Sequence, residues 1–530
     1  MGKLAVKTKH AWRGVAAFGI LAAGCGSEAP LPSAIDNPGL EAEVRPDTPG
    51  NGLQFNFDPG DVVESAPSAS GKFLVHFTRN GPNAVPAADA DMSGTPDFVE
   101  QVAGVYDEVL SYYESLGFRP PRTDDGLPDN GGDGRFDVYL VDFAGIGDGT
   151  FQIDACDSLK KSQCAGYMVQ ENDYQGYGYP STLVANRILG SHEFFHAIQA
   201  SYDREQGSVF SEGTAVWATE SFDPSLNDFE WFIDGYTNNT GRSLDVPLPG
   251  PVDAFSYGSG LFFQFLEERY GAGTVRALVE RTEDGAFGET DPQWLGVTGK
   301  MLEAQAQTTF PEAFIEFATW NLFLGSKADP SRSYANCANY PLVKMEPVSA
   351  PYTDLLRLFY ASAQYYRAFP NGRAKMTAAL TSAESAMIET SDVTLLLVAE
   401  RNGKYDSVVR VADVRAGAEE IDMTGADAFV TVAINTTTSG NSRRPTLCIG
   451  SPEEVAECKK SVEQTGTGGA GGAGGGGGAG GSGGGDPVTP DEPGSCGCRT
   501  VPSSSGAGIW ALIAMLGLVC RRLRRPANCH

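Results

Sequence analysis

The chain has 530 residues and a formal charge of −28, from 39 Lys and Arg against 67 Asp and Glu. So acidic a chain is a poor candidate for nucleic acid or anionic lipid, because like charges repel, and a good one for a secreted protein that binds calcium. A hydrophobic fraction of 41%, with six Trp, 19 Tyr and 28 Phe, excludes global disorder and supplies core for about two to four domains.

Residues 1–25 read as an export signal. Lys3, Lys7, Lys9 and Arg13 give a positive start, and residues 14–23 form an apolar run too short to span a bilayer. The stretch Leu21-Ala22-Ala23-Gly24-Cys25 resembles a bacterial lipoprotein lipobox, although Leu21 stands four residues before the cysteine rather than three. The resemblance implies cleavage before Cys25 and lipid attachment to its thiol; plain signal cleavage nearby is the alternative. Both readings place the body outside the cytoplasm, in a compartment where disulfides form.

Residues 26–70, rich in Pro, Ala, Asp and Gly, read as a mostly irregular linker or pro-region. A folded domain is expected over 71–350. Its first strand is 72–78, in which His76 reads as packing rather than as a ligand. Asp89, Asp91, Ser93, Thr95, Asp97 and Glu100 then fall at positions 1, 3, 5, 7, 9 and 12 of a calcium-type loop, with Gly94 at position 6. The other reading is an Asp/Gly turn capping the next helix, and Pro96 at position 8 argues against a paired EF-hand. Phe98, Val102, Tyr106, Val109, Leu110 and Tyr113 recur at helical spacing up to Gly117. Asp129, Asp133 and Asp137 lie in a Pro/Asp/Gly loop that reads as a solvated turn, with a further cation site as the alternative, leading into a strand over 135–143. Cys156 and Cys164, eight apart in an exported domain, are expected to pair. Residues 166–170 read as a strand, and as a sheet edge able to pair with an extended peptide.

A buried helix is expected from Ser181 to about Tyr202. It carries His192-Glu193-Phe194-Phe195-His196, an H-E-x-x-H pattern. Residues four apart share a helix face, so both imidazoles can reach one ion, and Glu193 stands where it can take a proton from a water. Two hydrogen-bonded core histidines would leave the same short pattern. A catalytic zinc site needs a third protein ligand and an open position. Tyr202 stands where a third histidine would make a metzincin, and Gln199 replaces that family's glycine, so that class is rejected. Glu212 is the leading third ligand, separated from His196 by fifteen residues, with Glu220 as the fallback.

His192–His196 followed by Glu212-Gly213-Thr214-Ala215-Val216-Trp217 resembles the gluzincin metallopeptidases, whose third zinc ligand is a glutamate on the next helix. The gap before Glu212 is a few residues shorter than in thermolysin or the aminopeptidase branch. Ser256-Tyr257-Gly258-Ser259-Gly260 resembles the Tyr-x-x-Gly of that branch, which implies for Tyr257 a hydroxyl that steadies an oxyanion; a plain Tyr/Gly helix start is the alternative. The wider pattern resembles a myxobacterial family of metallopeptidases. It is carried by 73–85 (FLVHFTRNGPNAV), the Asp/Gly loop, 131–140, 192–203, 212–217 and 320–331.

From 351 to 460 the texture is that of a β-sandwich-like domain. Asn402-Gly403 between apolar runs signals a hairpin, residues 427–435 read as another strand, and Cys448 and Cys458 can close a loop. Cys337 has no evident partner. Residues 461–495 are a glycine-rich linker. Residues 496–530 join Cys496-Gly497-Cys498, an apolar stretch and terminal arginines, which resembles the MYXO-CTERM sorting tag and implies surface display.

The fold class expected is α+β: a zincin-like, thermolysin-like domain followed by the β-sandwich-like one. The expected function is an exported or cell-surface zinc metallopeptidase acting on protein or peptide, tethered to a membrane at one end or both. Zn2+ would lie on His192, His196 and Glu212, with Glu193 as general base and Ca2+ as a second cofactor of the 89–100 loop. Missing the aminopeptidase G-x-M-E-N strand, the sequence favours an endopeptidase. An inactive surface-binding protein on a metallopeptidase fold, and a zinc hydrolase acting on another bond, remain open.

Overall fold

The structure, a computed structural model, describes residues 44–48, 53–249, 253–382, 392–417 and 419–467. The signal-like segment, Cys25, the tract from 468 to 495 and the sorting-like tail lie outside the described residues. Residues 461–467, expected as linker, continue a helix. Among the described residues no helix is long and apolar enough to cross a membrane.

Five strands lie beneath the motif helix, in the order β1-β2-β3-β5-β4. They are β1 (Glu64–Pro67), β2 (Phe73–Phe77), β3 (Phe136–Val141), β4 (Gly149–Cys156) and β5 (Cys164–Glu171), with helix α1 (Asp97–Ser115) between β2 and β3 in the chain. β2, β3 and β5 run parallel; β1 and β4 join antiparallel at the two edges. All five residues of β2 are buried, as its unbroken apolar run requires of a strand covered on both faces. Phe73, Val75, Val138, Leu140, Phe151 and Met168 point into the core shared with the helices. Tyr139, Val141, Tyr167 and Val169 point to the other face, where Phe57 and Phe143 cover them. Helix α1 ends where its spacing predicts. Gly117, at φ 89°, lets Phe118 N–H bond Tyr113 O and Gly117 N–H bond Glu114 O, closing the last turn.

Three expectations about this half are corrected. Residues 166–170 are not a sheet edge: β5 is internal, and the edge is β4, which the sequence reading missed. The Cys156–Cys164 disulfide sits at the mouth of that β4–β5 hairpin. Residues 53–70 are not a loose linker, since β1 pairs with β2 and Phe55 stacks on Phe143 with ring centroids 3.9 Å apart. Asp137 is not a solvated turn residue but is 1% exposed in β3.

The burial of Asp137 is explained by Arg45. Its guanidinium is fully buried on the sheet face away from α1. One Nη donates to Asp137 Oδ2 at 2.5 Å and Tyr139 Oη at 3.3 Å, the other to Asp124 Oδ2 at 2.5 Å and to Asp154. The Tyr167 ring lies 5.0 Å from the guanidinium carbon. His76, read as packing, bonds the other Asp137 oxygen through Nε2 at 2.7 Å and stacks on Tyr139. Burial works against the Arg45 charge, but Tyr139, Asp154 and Asp137 more than offset it and raise its pKa. Burial pushes Asp124 up to about 7 and also raises Asp154, against the pull of Arg45.

The motif helix is α2 (Thr182–Tyr202), started by Ser181, whose Oγ accepts from Val184 N–H at 3.2 Å. It is followed by α3 (Ser208–Phe222), the short α4 (Phe229–Phe232), α5 (Asp234–Thr237) and α6 (Ala254–Gly258), and then α7 (Gly260–Tyr270), α8 (Thr274–Thr282), α9 (Trp294–Ala306) and α10 (Phe310–Trp320). Thr309 caps α10 with Pro311 in its first turn, as expected.

Ten strands follow: β6 (Glu346–Ser349), β7 (Tyr352–Leu355), β8 (Ser362–Phe369), β9 (Lys375–Thr381), β10 (Val393–Arg401), β11 (Lys404–Tyr405), β12 (Val409–Arg410), β13 (Ile421–Asp422), β14 (Ala428–Asn435) and β15 (Thr446–Gly450). One sheet is ordered β11-β10-β14-β8-β6, with β12 also on β10, and the other β13-β9-β15-β7. Leu395, Leu397 and Phe429 of the first share a core with Met376, Leu380 and Leu447 of the second. The hairpin β10–β11 turns at Asn402-Gly403, both at positive φ, as predicted. Helix α11 (Pro452–Thr467) is tied to β15 by the Cys448–Cys458 disulfide. The boundary expected at 350 falls after β6, which already belongs to the larger sheet. The reverse face of that sheet carries Val398, Val430, Val432 and Ile434 into the helical core, and Tyr365 Oη donates to Ala318 O of α10 at 2.9 Å. The described chain is thus a mixed α+β protein.

Candidate metal centre

Helices α2 and α3 lie against each other and carry the motif residues. The loop between them, 203–207, is short because its own side chains tie it down. Asp203 Oδ2 accepts from Gln206 Nε2 at 2.6 Å, the same amide donates to Pro292 O at 2.8 Å, and Gln206 Oε1 accepts from Trp294 N–H at 3.0 Å. The fifteen-residue gap before Glu212 is therefore closed without strain. Asp203, close to the motif at the end of α2, is committed to this loop. Gly213 is needed for space: a Cβ there would stand 2.7 Å from the Phe263 ring of α7.

His192 and His196 are buried and point the same way from α2. Glu212 Oε2 on α3 lies 3.2 Å from His192 Nε2 and 3.5 Å from His196 Nε2. Burial opposes ionisation of Glu212, but His196 and His192 hold its carboxyl below the usual range. The structure thus brings His192, His196 and Glu212 together. Glu220 it does not: two turns further along α3, it faces Glu230, Glu268 and Asn336, and burial with Glu230 pushes it up to about 7. Glu193, His192 and His196 offer ligand atoms within 4.8 Å of one another. Glu193 Oε2 accepts from Phe151 N–H of β4 at 3.2 Å, which anchors it against the sheet edge. Burial raises the Glu193 pKa, against the pull of His196 and His192.

No protein family matches the chain, and no curated protein matches it. The site therefore stands on its own geometry. Tyr257 lies on α6, whose start is capped by Asp253 Oδ1 accepting from Phe255 N–H at 3.2 Å. Its ring stacks on the His192 ring at 5.6 Å between centroids, and on Phe232 at 5.0 Å on α4. Tyr257 is therefore beside the ligand group, and its helix start is real as well.

Three neighbours have a place at the site that the sequence did not reveal. Asp228 faces His192 and is pushed by burial up to about 6, against the pull of that ring. Asp148, at the start of β4, accepts from Tyr179 Oη. Gln199 Oε1 is 2.8 Å from His196 Nδ1. Of these only Gln199 had a signal, standing one turn past His196 on the same helix; the other two come from loops.

The 89–100 loop gathers carboxylate oxygens of Asp89, Asp91 and Asp97 within 4.8 Å of one another. Those oxygens also serve the loop itself. Asp89 accepts from Ser93 and Gly94 N–H and Asp91 from Ser93 N–H, each at 3.0 Å, and Asp97 accepts from Ala90 N–H at 2.9 Å. Ser93 Oγ lies 2.7 Å from Glu100 Oε1 and 3.2 Å from Thr95 O, and its one hydrogen serves the shorter contact. The residues of the calcium-type pattern thus form one hydrogen-bonded turn, and none of their side chains caps α1, whose N-cap is Pro96.

Proposed function

We propose that the chain is a zinc-dependent metallopeptidase with a zincin-like catalytic half. One observation carries the reading. Ligand atoms about 2.0–2.1 Å from a tetrahedral ion stand about 3.3 Å apart, and Glu212 Oε2 is 3.2 and 3.5 Å from the two imidazole Nε2 atoms. The donor set fits zinc: two imidazoles and one carboxylate, borderline nitrogen and oxygen ligands, leave a fourth position open as catalytic sites do. When bound, Zn2+ supplies a Lewis acid that acidifies a water and polarises a carbonyl. Glu193, beside the ligands, would take a proton on its carboxylate and hand it to the departing amine. Phe151 N–H fixes the Glu193 carboxylate for this exchange. Tyr257, stacked on His192, is the residue assigned to the oxyanion.

A peptide substrate is favoured by β4. Among the described residues it pairs only on its β5 side, and its Phe151 amide already touches Glu193. An extended chain added along that edge runs past the general base. The setting we propose is the cell surface, resting on the sequences of 1–25 and 496–530 and supported by two disulfides.

The test is a digest of a broad peptide library by the full chain, metal-stripped and then re-supplied with Zn2+. Cleavage that disappears on stripping and returns with zinc is expected. Intact peptides in the presence of one bound zinc per chain would contradict a peptidase. The ligand set has its own test. Glu212→Ala should weaken zinc binding by at least about 10-fold, since it removes a direct ligand, whereas Glu220→Ala should leave it unchanged. The reverse pattern in a chelator competition would exchange their roles.

A further inference from the structure

We propose that Gln199 is the positioning residue of the metal site, orienting His196 directly and placing Glu212 through Ser211. The proposal rests on the zinc reading above. Gln199 is buried, one turn past His196 on α2, and its side chain reaches across to α3. Its Nε2 donates to Ser211 O at 2.8 Å and to Thr214 Oγ1 at 2.6 Å, and its Oε1 faces His196 Nδ1 at 2.8 Å.

The direction of every bond in this chain is forced. A backbone carbonyl only accepts, so the amide NH2 must face Ser211 O. The Thr214 hydroxyl gives its own hydrogen to Phe210 O at 2.8 Å and so accepts from Gln199. Both amide hydrogens are then used on α3, and the amide oxygen is left for the imidazole. An oxygen facing Nδ1 requires the hydrogen there, which puts the lone pair of the neutral ring on Nε2. Nε2 is the atom that faces Glu212 Oε2 at 3.5 Å. Two acceptor atoms at that separation are stabilised by a positive charge between them, which is what a metal ligand pair needs.

The same amide fixes the second helix. Ser211 immediately precedes Glu212, so holding its carbonyl sets the first turn of α3 against α2. One planar group with one acceptor and two donors therefore serves two of the three ligands. Glutamate keeps the acceptor for Nδ1 but loses both donors. Leucine keeps the volume and loses everything else.

The experiment uses the full chain with Gln199→Leu and Gln199→Glu. Zinc affinity is read by competition with a chromogenic chelator, and the His196 tautomer by NMR of metal-free, 15N-histidine-labelled protein. Loss of an outer partner of a metal-bound histidine lowers affinity by about 10–100-fold, and that loss is expected for Gln199→Leu. In the metal-free wild type His196 should be the Nδ1–H tautomer; in Gln199→Leu that preference should disappear. Gln199→Glu should keep the tautomer and still bind zinc more weakly, because its anchor on α3 is gone. If Gln199→Leu fails to fold, this second variant decides alone. Wild-type zinc affinity in the variants, or an unchanged tautomer in Gln199→Leu, would overturn the proposal. A wild type that binds no zinc but holds the Nδ1–H tautomer would overturn the zinc reading and leave the orienting role of Gln199 standing.

Discussion

Glu193→Gln is expected to bind zinc as the wild type does and to cleave peptides about 10²–10⁴-fold more slowly, the usual share of a general base. The side chain lies next to both histidines but accepts a hydrogen bond from Phe151 N–H of β4 at 3.2 Å. Its task is to receive a proton, which the amide cannot do. Gln has the same length and can keep the Phe151 contact through its oxygen, so the ligand geometry should survive. Single-turnover cleavage of a library-derived peptide, measured beside zinc content, separates the two effects. Undiminished cleavage with zinc bound would remove Glu193 from the chemistry.

The largest stability effect is expected at Arg45. Its guanidinium answers Asp124, Asp137 and Asp154 at once, all nearly fully buried. Arg45→Met removes the cation and leaves the carboxylates facing one another. Breaking a buried pair from one side costs about 3–5 kcal/mol, and urea unfolding near pH 8 should read a loss of that order. The pH dependence has a definite sign. Burial already holds Asp124 up to about 7 and Asp154 above its usual value. A carboxyl whose folded pKa is raised contributes stability below its unfolded pKa, and that contribution is lost as pH rises through the folded one. The variant's deficit should therefore shrink as pH falls from about 8 towards 5, the carboxyls taking up protons in place of the cation. A loss below about 1 kcal/mol at pH 8 would show that the cluster is not anchored by Arg45. Because Arg45 lies on the sheet face away from α2, the variant that remains folded should cleave no faster than wild type; a rise in rate would make residues 44–63 an inhibitory segment.

The sequence showed most plainly what local spacing encodes. Helix α1 follows from its apolar period and ends at Gly117, the β10–β11 turn follows from Asn402-Gly403, and both disulfides follow from short cysteine spacing. His192, Glu193 and His196 were legible for the same reason, since one helix turn brings them together. Glu212 was legible only as the leading one of several candidates, because the loop before it is set by Gln206 and Pro292, far apart in the chain. β4 was missed because a bulge between Ile153 and Ala155 breaks its alternation. Arg45 was invisible: its carboxylate partners stand 79, 92 and 109 residues away, and a lone arginine in a Pro/Gly-rich tract carries no local signal. Gln199 was noticed only as a residue that was not glycine. Its meaning depends on Ser211 and Thr214, on another helix.

The most direct test of the central claim is anomalous diffraction at the zinc edge from crystals of the zinc-loaded full chain. One strong peak is expected within about 2.0–2.2 Å of His192 Nε2, His196 Nε2 and a Glu212 carboxylate oxygen. A peak on Glu220, on the 89–100 loop or on the Arg45 cluster with none at His192 and His196 would contradict it.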